Sequence, residues 1–447
     1  MKNSKSNNKT YELYGEVLKS TEFSTCRDEQ AYIPYSDDFS SLSKSIVTGG
    51  KTVHNRIEYQ PMEGQDAELD GSPTDITNER YRKLAQGGAG LLWLEAVAIE
   101  QNGKSNPFQL QLKKENADRF KRLVDTMKTE CLKRNSFEPV IIMQMTHSGR
   151  YAKPNGKPEP ITAYFNPDTE KTALPIASDD FLKGLTEHYV ASAGLAKEVG
   201  FDGVDVKCCH GYLLSELLSA YDREGEYGGS FENRTRLLRE VVTAVNDSLP
   251  KDFIRSVRLN AFDGYAGKYS FGKASKEGEL FDLTEANKLL SLFETKAVSL
   301  VNVTMGSPYR NPDVSRPYKN GIDKPKTDAI FALSRLLKGA EELKQSHPDL
   351  AIVNTGISLL GRLTPYAAAG LLEEHMTDFV GFGRMSFAYP DLARDMINGN
   401  FDEKQCCVAC SGCSILKKNV LKSGCIIRNQ FYKEIYKEFT KKSGEVH

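Results

Sequence analysis

Lys207, Cys208, Cys209, His210 and Tyr212 crowd the end of the apolar run around Val204 and Val206. An ammonium, an imidazole and a phenol set this close can hold a polar ligand by hydrogen bonds and hand it a proton. Taken singly, each is more often a packed or solvated side chain. Together, at one strand end, they mark a site. A second set lies near the C-terminus: Cys407-Val-Ala-Cys410-Ser-Gly-Cys413, then eleven residues and Cys425. In a reducing compartment, thiols so spaced read as metal ligands before disulfides. Their softness favours iron–sulfur or zinc. Cys406 is a spare thiol or an alternative ligand, while Cys26 and Cys131 stand alone and read as inert.

The elements that must position these groups alternate along the chain. Strands are expected at Ile57–Met62, Leu91–Ala96, Val140–Met145, Gly203–Cys208, Ile254–Leu259, Ser299–Thr304, Ala351–Thr355 and Phe379–Gly383. Helical stretches lie between them, among them Ala117–Leu132, Phe181–Val199, Asn233–Val245, Thr284–Glu294, Thr327–Lys344 and Pro365–Glu374. Eight strands with intervening helices is the count of an α/β fold of the closed (β/α)8, or TIM, barrel type. An open doubly wound sheet would show a Gly-x-Gly-x-x-Gly first turn, and none occurs. In such a barrel, ligands meet the carboxyl ends of the strands. The organisation expected is an N-terminal arm over 1–38, a barrel over 39–400 and a Cys-rich segment with a Lys-rich tail over 401–447. The Gly- and Tyr-rich stretch Asn260–Glu279 is expected to lie over the barrel mouth.

Charge is nearly balanced, with 59 basic and 60 acidic residues, which argues against nucleic acid or an anionic membrane as partner. No run approaches the ~18 apolar residues of a membrane span. The N-terminus, Met1-Lys-Asn-Ser-Lys-Ser, lacks the apolar core of a signal peptide. A cytoplasmic protein is expected.

The stretch Gly200-Phe-Asp-Gly-Val-Asp-Val-Lys-Cys-Cys-His-Gly-Tyr-Leu-Leu, with Tyr227-Gly-Gly-Ser-Phe-Glu-Asn-Arg234 downstream, resembles the strand-four signature of the Old Yellow Enzyme family. The likeness extends over roughly residues 39 to 430. It implies a barrel binding FMN and reducing an activated C=C bond of a small unsaturated substrate. By this resemblance Pro61 and Met62 lie along one flavin face, the Ala96 backbone meets the flavin edge, and Gln144 bonds the pyrimidine side. Arg258 sits beside the flavin N1 and O2 and stabilises the anionic reduced ring. Gly356, Gly383 and Arg384 take the phosphate. His210 donates to the substrate carbonyl and Tyr212 gives a proton to the α-carbon.

Two positions depart from the pattern. Lys207 stands where the family has its first histidine, and Glu63 where it commonly has Thr or Cys bonded to flavin O4. Lys207 is expected to face the enolate oxygen, to grip a substrate carboxylate, or to pair with Glu63. A direct substrate role is favoured, since the lysine ends the strand that delivers His210 and Tyr212.

The cysteine spacing is similar to that of the 2,4-dienoyl-CoA reductase branch, which carries a [4Fe–4S] cluster and has one more residue between its second and third cysteines. The resemblance makes Cys407, Cys410, Cys413 and Cys425 the cluster ligands. Electrons then come from NAD(P)H or from a donor protein, and a homo-oligomer stays open. Two other readings stand: an amine dehydrogenase or demethylase, and a non-catalytic, zinc-stabilised interaction barrel.

Overall fold

Apolar runs rich in Val, Ile and Leu form every strand of a closed, all-parallel barrel in the computed structural model. The structure describes residues 32–167, 170–274, 280–318 and 325–443. A hairpin of β1 (Ile46–Thr48) and β2 (Lys51–Val53) comes first. The barrel strands follow: β3 (Ile57–Tyr59), β4 (Leu91–Ala98), β5 (Val140–Thr146), β6 (Gly203–Cys208), β7 (Ile254–Phe262), β8 (Leu300–Met305), β9 (Ala351–Thr355) and β10 (Phe379–Phe382). β10 pairs with both β9 and β3, which closes the ring. All eight expected strands are present. β4, β5, β7 and β8 run one to three residues further toward the mouth than their side-chain pattern suggests, and β3 stops earlier, before Pro61. A proline cannot donate to the ladder, so the strand ends ahead of it.

Every barrel-strand residue is buried, as helices outside and packing inside demand. Helices Ala117–Asn135, Asp179–Glu198, Arg236–Ser248, Thr284–Thr295, Ala329–Ser346 and Thr364–Glu373 match the sequence reading closely. Helix Asp75–Gln86 was not singled out, although Thr74 and Thr77 form a reciprocal N-terminal cap. Trp93 is in the core, as its setting suggests, packed with Val53, Leu91, Ile142, Ile254, Leu300 and Phe379. The β1–β2 hairpin plugs this end. Its Gly49 turn has φ +54°, and a Cβ there would lie 2.6 Å from Ser299 Oγ, so only glycine fits without strain.

Residues 1–31, with Cys26, lie outside the described residues. From Tyr32 on, the arm is docked. Tyr35 stacks on Tyr366 at 5.1 Å, and the Ser36 amide donates to the Tyr366 carbonyl at 3.1 Å. Cys131 is buried and its thiol is pushed up to about 12 by that burial, in keeping with an inert core residue. Among the described residues no helix is long and apolar enough to cross a membrane.

The Cys-rich segment returns to the barrel. The Ser423 amide donates to the Gly64 carbonyl at 2.7 Å, and Gln65 Nε2 donates to the Lys417 carbonyl at 3.1 Å. These bonds lay helix Gly412–Lys418 across the carboxyl end of β3. That placement shapes the site.

Candidate active site

One cavity of about 170 Å³ opens at the carboxyl ends of the strands. Its wall includes Pro61, Met62, Glu63, Lys207, His210, Arg258, Gly356, Gly383 and Arg384, nine of the residues expected there. The register explains part of this. Lys207 on β6 is the partner of Arg258 on β7, so two cations stand side by side at the rim. Past β6 the chain turns through His210 at φ +66° and Gly211 at φ +71°. The left-handed conformation costs a non-glycine residue roughly 1–2 kcal/mol. Here it aims the imidazole into the cavity.

Three expected contacts sit back from the wall. The Ala96 carbonyl accepts from Gln109 Nε2 at 2.9 Å. Gln144 Nε2 donates to Asp205 Oδ2 at 2.7 Å. The Tyr212 hydroxyl donates to Glu63 Oε1 at 3.4 Å and shares a hydrogen bond with the Tyr309 hydroxyl at 3.0 Å. More of the wall comes from the loop after β8, through Pro308, Ser315 and Arg316, and from the Cys-rich segment, through Cys413, Ser414, Lys417 and Ser423. The described part of the 260–279 loop packs beside it instead, with Tyr269 stacked on Tyr164 at 4.9 Å and Tyr265 under the Arg310 guanidinium at 3.8 Å. Residues 275–279 of that loop lie outside the described residues.

Charge decides the character of the cavity. Among the described residues Arg258 Nε, Arg316 Nη1 and Arg384 Nη1 are buried donors without a partner, and all three residues line it. Burial lowers the pKa of Arg316, and the neighbouring Arg384 guanidinium lowers it further. Arg384 Nη2 does donate, to the Pro317 carbonyl at 2.7 Å. Buried donors cost free energy unless paired. Two adjacent guanidiniums on one wall therefore ask for an anion, and a phosphate suits their fork geometry. Beside Arg384, a Cβ on Gly383 would come within 3.0 Å of Met62 Sδ. The absence of that atom keeps the space open. Donors and cradle together fit the phosphate and the electron-rich ring edge of FMN. Arg316 was missed in the sequence, where it sits in an unpatterned Ser-Arg-Pro turn.

Lys207 Nζ lies 3.6 Å from Glu63 Oε1, and Lys417 Nζ lies 2.9 Å from Glu63 Oε2. Burial works against the Glu63 charge, but Lys417 and then Lys207 outweigh it and hold the carboxyl down to about 2. Burial pulls the Lys207 ammonium down, and Glu63 opposes that. For Lys417, Glu63 overcomes burial and raises the pKa. Of the three roles open to Lys207, the pairing is present in the structure. It does not close the cavity side of the ammonium, which sits 4.0 Å over the Tyr212 ring. His210 is driven well below the usual imidazole range by burial and then by Arg258, Lys207, Lys417 and Arg316. It is a neutral ring able to donate one N–H.

All four expected thiol ligands line one small pocket of about 20 Å³, with Cys406, Arg384 and Phe387. The Ala409 amide donates to Cys407 Sγ at 3.4 Å and the Arg428 amide to Cys425 Sγ at 3.3 Å. Such bonds favour thiolate. Burial, relieved in part by Arg384, pushes the free Cys407 thiol up to about 11. Cys413 lines both this pocket and the large cavity, so the two are neighbours. Among the described residues no three His, Cys, Asp or Glu side chains are placed to hold a single metal ion.

Known proteins share this frame. Residues 41–330 match the NADH:flavin oxidoreductase / NADH oxidase family. An NADPH dehydrogenase of Listeria monocytogenes is 32% identical over 332 residues, covering 72% of this chain and 91% of the relative. An NADH oxidase of Thermoanaerobacter brockii is 26% identical over 388 residues, covering 84% of this chain and 54% of the relative, so the chain spans about half of that protein's length. A structure of 2-naphthoyl-CoA reductase superposes with a TM-score of 0.73 at 22% identity, covering 89% of this chain and 58% of the other. The Old Yellow Enzyme homologue of Zymomonas mobilis superposes at 0.60 and 22% identity, covering 80% and 93%. The barrel, the donor-lined cavity and the match over most of its strands make this chain a member of the NADH:flavin oxidoreductase / NADH oxidase family, the flavin-dependent oxidoreductases.

Proposed function

We propose that the chain is an FMN-dependent ene reductase acting on a small substrate whose C=C bond is conjugated to a carbonyl. The observation that carries the reading is the meeting on one cavity wall of three arginines with unpartnered donors, a neutral His210 and the cationic Lys207. When bound, FMN supplies hydride, and NAD(P)H replenishes it. Arg316, Arg384, Gly356 and Gly383 would hold its phosphate, Arg258 would meet its electron-rich edge, and Pro61 and Met62 would flank its ring. His210 donates N–H to the carbonyl oxygen, and Lys207 adds a cation beside it. Both withdraw electrons from the double bond and favour the enolate. Tyr212 delivers the proton to the α-carbon. Paired with two lysines, the Glu63 carboxylate leaves no net negative charge to oppose flavin reduction.

The four thiols hold a [4Fe–4S] cluster in this reading, a site for one-electron transfer. A cluster takes one thiolate per iron, which suits four cysteines around one pocket. A donor protein would meet it at the exposed Val408 and Ile427 on the same pocket. Anaerobic purification with flavin, iron, sulfide and zinc analysis tests both groups. FMN with iron and sulfide is expected; a colourless protein holding zinc would overturn the reading.

A further inference from the structure

Tyr212 is only 1% exposed. If it gives up a proton in each turnover, as the ene-reductase reading requires, that proton must be replaced through a neighbour. Among the described residues its hydroxyl touches three groups. Glu63 is one, at 3.4 Å, but it is held ionised by two lysines and carries no proton to give. Ser105 is another, and an aliphatic hydroxyl is a far weaker acid than a phenol. Tyr309 is the third, with its hydroxyl 3.0 Å away.

Tyr309 differs from Tyr212 in one respect that matters: it is 40% exposed. Its ring is fixed by stacking on Tyr151, with centroids 4.0 Å apart and planes 18° from parallel. Its backbone amide donates to Ser307 Oγ at 3.3 Å. The Lys417 ammonium lies 5.9 Å from the ring centroid, beside the hydroxyl. A cation there stabilises a transient phenolate. The more exposed Tyr309 ring lies at one end of this pair, and at the other Tyr212 touches Glu63 and Lys207, which line the cavity.

We infer that Tyr309 is the proton relay that recharges Tyr212, carrying protons from solvent to the buried hydroxyl. The step balances. Hydride from reduced flavin forms the C–H bond at the β-carbon. The Tyr212 O–H bond breaks as the α-carbon C–H bond forms. The Tyr212 phenolate then takes the Tyr309 proton, and Tyr309 takes one from water. One hydride and one proton convert the alkene to the saturated product.

Two measurements on Tyr309→Phe and Ser105→Ala test this. The first is hydrogen–deuterium exchange at the Tyr212 hydroxyl, read by NMR on tyrosine labelled at the ring carbon that bears the oxygen. It needs no substrate. The second compares the first turnover of prereduced protein with later turnovers on a conjugated enone. Tyr309→Phe is expected to slow hydroxyl exchange and every turnover after the first by at least about tenfold, leaving the first largely intact. Ser105→Ala should change neither. Parent-like exchange in Tyr309→Phe, or slowing by Ser105→Ala alone, would overturn the relay. Exchange slowed only in Tyr309→Phe, with no enone reduced even by the parent, would uphold the conduit and overturn the ene-reductase reading instead.

Discussion

Lys417, carried on a helix of the Cys-rich segment, places its ammonium 2.9 Å from Glu63 at the end of the first barrel strand. With Lys207 at 3.6 Å on the other oxygen, one carboxylate serves two cations. The segment that gathers the cysteines thus also sets the charge of the flavin cavity.

The triad makes unequal predictions for its members. Glu63→Gln leaves Lys207 buried without an acid, and breaking such a pair costs about 3–5 kcal/mol. Lys207→Met leaves Glu63 still paired with Lys417 and is expected to cost clearly less. Adding Lys207→Met to Glu63→Gln should recover the share of the loss due to Lys207 and leave the share due to Lys417. Urea unfolding of the three variants reads the coupling, and additive losses would mean that the pair is not coupled.

Acid should undo the same triad. The folded pKa of Glu63 is depressed to about 2 from an ordinary 4.5, so its contribution is complete above the ordinary value. It is lost as the pH falls from about 4.5 toward 2, and amounts to roughly 3 kcal/mol in all. Stability measured across that window in the parent and in Glu63→Gln should converge at its acid end. Parallel curves would show that Glu63 does not titrate as described.

Flavin retention should depend on both buried guanidiniums at the rim. Arg384→Ala and Arg316→Ala are each expected to weaken FMN binding by about 1.5–3 kcal/mol, the worth of a charge-assisted contact. Equilibrium dialysis of the apoprotein measures it. Unchanged affinity in both variants would remove the phosphate from this wall.

The barrel was legible because its strands are short apolar runs between helical stretches, and in two of them the apolar run gives way to a cation, Val206 to Lys207 and Val257 to Arg258. The strand-end residues inherited their positions from that register. Arg316 and Lys417 were not legible in this way. Each reaches the cavity on a loop or a return segment whose path depends on long-range packing, such as the Ser423–Gly64 bond, and no local period encodes that. Gln144 and Ala96 lie where the pattern puts them, but their polar atoms are engaged by Asp205 and Gln109. The Asn260–Glu279 stretch was read from its composition and its place after a strand, and its described aromatics pack on neighbouring loops.

Tyr212→Phe removes one hydroxyl and nothing else. Reduction of the flavin by NAD(P)H should proceed as in the parent, while reoxidation by an enone slows by roughly 10²–10⁴. Equal slowing of both half-reactions would make Tyr212 a shaping residue and not a proton donor.

The most direct measurement mixes prereduced protein with a conjugated enone under anaerobic conditions and follows the flavin colour and the product together. The yellow absorbance is expected to return as the enone disappears, with one molecule of saturated product formed for each flavin reoxidised. A flavin that stays reduced with every conjugated alkene offered, and whose oxidised form is instead reduced by an amine, would contradict the account.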